Sequence, residues 1–123
     1  MIGKYLSLAL LAAASAGSAQ APPASSQTSP QVTLEQRLQL RCSAAFAMVA
    51  FGQDKGDAEA LAFPPIGARG REYFVRASVS VMDEAGLDRE AISAVLSQEA
   101  RDIHEQRSLA DVMQACLPLL PPE

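Results

Sequence analysis

Cys42-Ser-Ala-Ala-Phe-Ala-Met-Val-Ala-Phe51 is apolar on every side of a helical projection except at Ser43. A helix that is hydrophobic all round has no solvent face and belongs at the centre of its domain. The segment therefore predicts an all-α fold, with this helix as the core against which the others pack.

Upstream, Thr33 and Gln36 make the T-x-x-Q pattern of a capping box. The helix is expected to start there, with Leu34, Leu38, Cys42, Ala45 and Val49 forming its inward stripe. Downstream, Gly52 and the Gln53-Asp54-Lys55-Gly56-Asp57 turn are read as its end. Asp57 then caps a short helix, Ala58 to Phe63, which Pro64-Pro65 terminates. Gly67 and Gly70 suggest a loop leading into a third helix, roughly Arg71 to Ala85. In that stretch Val75, Ala77, Val79 and Val81 alternate with polar residues, a strand's period of two. Phe74, Ala77, Val81 and Ala85 also fit a helix. No other segment offers a strand to pair with, so helix is the expectation.

Gly86-Leu87 reads as a left-handed C-cap with its hydrophobic contact. Asp88 caps a fourth helix with Ile92, Val95, Leu96 and Ile103 on one face. Glu99 falls inside that stripe and is expected to reach an arginine of a neighbouring helix or to extend to water. Ser108 with Asp111 should cap the last helix, whose inner face is Leu109, Val112, Met113, Cys116 and Leu120. Pro118, Pro121 and Pro122 forbid further helix. The expected architecture is a small bundle of four to five helices.

The N-terminus is of a different kind. Lys4, the apolar run from Tyr5 to Ala16 and the small residues up to Ala19 make the three-part layout of a secretory signal peptide. Gly17 and Ala19 suit the −3 and −1 positions of a cut between Ala19 and Gln20. A cut after Ala21 would put Pro22, with its locked φ, at +1. Residues 1–19 are thus assigned to the signal, 20–31 to a disordered Pro/Ser-rich linker and 32–123 to the helical domain. No stable membrane span is expected after cleavage. Arginine outnumbers lysine and alanine is abundant, which together with the short signal suggests a bacterial protein exported to the periplasm.

Two cysteines in an oxidising compartment allow one intramolecular pairing. Cys42 and Cys116 lie on the inward faces of the first and last long helices, and a bridge between them is expected. Closing a loop of that length stabilises a small domain by roughly 4–4.5 kcal/mol.

The composition narrows the function. Ten Lys+Arg against 14 Asp+Glu give a net charge of −4. That excludes a nucleic-acid binder held by phosphate neutralisation. Lys4 is the only charged residue of the signal, so cleavage takes the charge to −5. One His and two distant Cys match no metal-ligand pattern, and neither a metal nor another cofactor is expected. His104, Ser108 and Asp102 are close in sequence but do not share a helix face, so a catalytic set is not expected. The segment from Pro64 to Arg76 places Arg69, Arg71 and Arg76 near a glycine-rich helix start. It is the candidate site for an anion or a partner.

A non-enzymatic interaction, accessory or chaperone-like protein with a protein partner is the favoured function. The alternative is an anion or small-ligand module using the Arg69–Arg76 region. In layout (export signal, two cysteines, short helices) the chain resembles small periplasmic acid-stress chaperones of the HdeA type. The likeness is one of layout and assigns no functional residues.

Overall fold

A computed structural model describes Gly17 and residues 31–123 of the chain. The signal and linker assignments fall on residues outside these, apart from Gly17 and Gln31. The described residues form five α-helices and no strand: α1 (Leu34–Lys55), α2 (Ala58–Leu61), α3 (Gly67–Ala85), α4 (Arg89–Glu105) and α5 (Leu109–Cys116). A 3-10 turn, Leu117–Leu119, follows α5. None of these helices is long and apolar enough to cross a membrane.

α1 is the central element, and α2, α3, α4 and α5 all pack on it. Its start is the expected capping box: the Gln36 amide donates to Thr33 Oγ1 (3.1 Å), and Thr33 N–H donates to Gln36 Oε1 (2.9 Å). Gln36 Nε2 also donates to Glu84 Oε2 (3.0 Å), tying the cap to the far end of α3. The main core surrounds Phe46, with Ala45, Val49, Ile66, Ile103 and Met113 buried about it. The Tyr73 ring meets Phe46 edge-on at 5.2 Å. A second core joins Leu40, Val81 and Ile92, where α3 turns into α4.

The Cys42–Cys116 disulfide is present, with a Cα–Cα distance of 5.4 Å. It staples the end of α5 to the middle of α1. Gly86, left-handed at φ 66°, ends α3, and Leu87 N–H donates back to Met82 O (3.0 Å). Asp88 Oδ1 accepts from Ala91 N–H (2.7 Å) and starts α4.

Four local expectations are corrected. α1 does not stop at Gly52 but runs to Lys55, with Gly56 as its left-handed cap. Gly52 is buried because α2 crosses there: a Cβ at this position would lie 2.6 Å from Ala60 Cβ. α3 likewise begins at Gly67 rather than Arg71. Gly70 is helical, and its missing side chain makes room for Ile66 and Phe46. Leu34 and Leu38 are exposed rather than inward. At that end α1 is covered on the opposite side only, where Gln36 meets Glu84 and Leu40 meets Val81. Ser108 precedes α5 but makes no capping bond; its hydroxyl lies 3.4 Å from Arg41 Nη2 instead.

Candidate functional site

The three candidate arginines all belong to α3, and helical geometry separates them. Arg69 and Arg76 are two turns apart on one side, while Arg71 is rotated about 200° from Arg69. Arg69 Nη2 donates to Pro65 O (3.1 Å) and stands 3.9 Å from the Glu123 carboxylate. Arg76 pairs with Glu72, one turn earlier, at 2.6 Å. Arg71 forms no ion pair among the described residues. The three line three different clefts. They therefore do not converge on one anion.

The loop that leads into α3 is held by a residue without any motif to announce it. Gln53 Nε2 donates to the carbonyls of Ala60 (3.0 Å), Phe63 (3.2 Å) and Pro64 (2.9 Å). Its Oε1 accepts from Ile66 N–H at 3.1 Å. One amide thereby satisfies backbone groups left over by α2 and by the Pro64-Pro65 break. It sets where α3 starts, and with it the position of Arg71 and Phe74.

α3 and α4 flank α1 and meet over Leu40 beside their connecting turn. Farther along they leave α1 uncovered at Ala47 and Phe51, both exposed. The result is an open groove of about 410 Å³. Its floor is Ala44, Ala47, Met48 and Phe51 of α1, and one wall is Ser93, Leu96, Ser97 and Ala100 of α4. Each set recurs at i, i+3, i+4 and i+7, so two helices present continuous stripes to the same space. Phe74 of α3 closes the other side. Lys55 Nζ sits 4.4 Å over the Phe51 ring, at the groove's end. The all-round apolar run predicts no solvent face here, and the exposure of Ala47 and Phe51 corrects that, because exposure depends on how far α3 and α4 diverge.

Other polar groups are taken up by the structure. Glu99, only 3% exposed, bonds Arg37 Nε (3.3 Å) and Arg41 Nη1 (3.1 Å). Of the two outcomes expected for Glu99, pairing with arginine of a neighbouring helix rather than extension to water is the one observed. His104 is exposed. Asp102 accepts from Gln98 Nε2 (2.7 Å), while Ser108 faces Arg41, so the three are not assembled. Among the described residues no three His, Cys, Asp or Glu side chains gather closely enough to hold a metal ion.

No protein-family model, curated protein or solved structure matches the chain.

Proposed function

We propose that this is a non-enzymatic binding protein, exported to the periplasm, that docks an apolar helical segment of a protein partner in the α1–α3–α4 groove. The observation that carries this is the open floor of the central helix. Ala47 and Phe51 (63% exposed) lie between flanking helices where a closed bundle would bury them. Ala44 and Ala47 on the floor and Ser93, Ser97 and Ala100 on α4 let another backbone come close, and the large side chains Met48, Phe51, Phe74 and Leu96 frame them. Such a trough suits an amphipathic helix inserting side chains at i, i+3, i+4 and i+7. Accessory and chaperone-like roles both fit it, since each works by covering apolar surface of another chain. Export rests on the signal-like N-terminus, and the buried disulfide is in keeping with an oxidising compartment.

The test is a photo-crosslinking residue placed at Ala47 or Phe51 in the source cell, with Glu105 as an exposed control. Capture of the same protein from both groove positions, not from Glu105, and lost in Leu96→Glu, is expected. Identical products from groove and control positions, or capture indifferent to Leu96→Glu, would rule out the groove as the docking face.

A further inference from the structure

A second cleft, about 450 Å³, lies between α1 and α3. Ala47, Ala50 and Phe74 give it an apolar lining above the buried Phe46. Only two charged side chains line it, Asp54 from α1 and Arg71 from α3. They do not pair with each other, nor does either pair with any other described residue. The remaining polar side chain, Gln53, is committed to the α2–α3 loop.

An apolar trough with a few polar groups of defined kind is the usual form of a small-ligand site, and the volume is in the usual range. Here the two polar groups carry opposite charge. A guanidinium binds a carboxylate through paired N–H donors, and a carboxylate accepts from an ammonium group. We propose that this cleft binds a small zwitterion with an apolar side chain, of the α-amino acid class. The ligand carboxylate goes to Arg71, its ammonium to Asp54 and its side chain against Ala50 and Phe74. A simple anion would leave Asp54 opposing it, and a simple cation would meet Arg71, so a ligand bearing both charges complements both walls better than either. The cleft shares Ala47 and Phe74 with the partner groove, but its two charged residues lie outside that groove, so failure of this proposal would leave that one standing.

The experiment is a titration of the isotopically labelled, disulfide-bonded protein followed by amide NMR. The probes are L-leucine and L-phenylalanine, with L-leucinamide (no carboxylate) and 4-methylpentanoate (no ammonium) as controls. At least one amino acid should shift the amides of Gln53, Asp54, Gly70 and Arg71, which line this cleft and not the partner groove, saturably. Loss of either charge from the leucine framework should weaken binding about tenfold, the size of one charge-assisted contact. Arg71→Gln should abolish the preference for leucine over leucinamide, and Asp54→Asn the preference over 4-methylpentanoate. Both residues are exposed, so unchanged circular dichroism and melting temperature are expected of the variants. The proposal is overturned if neither amino acid gives saturable shifts at these amides. Equal binding of leucine and its two analogues, or unaltered preference in the variants, overturns it as well.

Discussion

Glu99 shows how a buried charge is made tolerable in so small a bundle. Its two carboxylate oxygens are divided between Arg37 and Arg41, and Arg41 reaches on to Gln106 and Ser108 at 3.4 Å each. Taking away the carboxylate charge leaves two guanidinium groups facing an uncharged amide. Because Arg37 remains 61% exposed, water recovers part of the loss. Glu99→Gln should cost about 2 kcal/mol in urea unfolding, less than a fully enclosed pair would. Ser78 is the converse case. Its hydroxyl is buried without a hydrogen-bond partner, so Ser78→Ala should be neutral or stabilising by up to about 1 kcal/mol in the same measurement. Two titrating groups contribute at opposite ends of the pH profile. Hydrogen bonds from Gln36, then Ser80, hold the Glu84 carboxyl below its ordinary value of 4.5. The stability this contributes is present above that value and is lost as pH falls through the lowered one. Burial pushes the Tyr73 phenol above its ordinary 10.0. The unfolded chain therefore ionises first, and stability falls as pH rises past 10. Gln36→Leu should flatten the acid limb of a stability–pH curve and leave the alkaline limb as it was.

Among the elements, the glycines separate local from tertiary logic most clearly. A glycine inside a helix weakens it by about 1 kcal/mol relative to alanine. On propensity alone, Gly52→Ala would stabilise α1. Its new Cβ, however, would sit 2.6 Å from Ala60 Cβ, and α2 would have to lift away. We expect Gly52→Ala to destabilise by about 1–3 kcal/mol in denaturant unfolding, with Ala60→Gly in the same chain restoring part of the loss. A gain in stability would mean that α2 is not held against α1. The same substitution at Gly56, where φ is +76°, should cost about 1 kcal/mol and gain nothing from a change at Ala60. The α2–α3 loop offers a sharper contrast. Gln53→Ala removes with one side chain the contacts to four backbone groups, three of them carbonyls sharing the two hydrogens of its NH2. It should cost about 2–3 kcal/mol and speed hydrogen exchange first at Ile66 N–H.

At the scale of the whole molecule, the disulfide and the central helix share the work of holding a small core together. The bridge closes a loop over a sequence separation of 74, for which chain entropy assigns about 4 kcal/mol. Both cysteines are buried, at 6% and 2% exposure. The Cys42→Ala/Cys116→Ala double variant should therefore lose about 4 kcal/mol in urea unfolding, a large share of what a domain of this size has. The open groove and the charged cleft lie on the same molecule, sharing Ala47 and Phe74. Both exist because four helices cannot fully surround α1.

Much of this was legible in the residues. The apolar run from Cys42 to Phe51 marks a central helix, Thr33 and Gln36 mark its start, and Gly86-Leu87 and Asp88 mark the turn between α3 and α4. The helical spacing of Glu99 within an apolar stripe leaves two outcomes, an arginine across the bundle or water, and Arg37 and Arg41 are the ones found. These features are written in short stretches, because capping, helical period and the cost of an unpaired buried charge act within a few turns or forbid the alternative outright. What only the tertiary structure decided is where one element leaves another uncovered or comes unusually close. Gly52 and Gly70 read as breakers until α2 and Ile66 are seen to need their space. Leu34 and Leu38 read as core until α1 proves to be covered on its other side. Arg69, Arg71 and Arg76 read as one site until the helix turns them toward three clefts. Exposure, approach distance and convergence are relations between distant parts of a chain, and local sequence encodes them only through the packing they share.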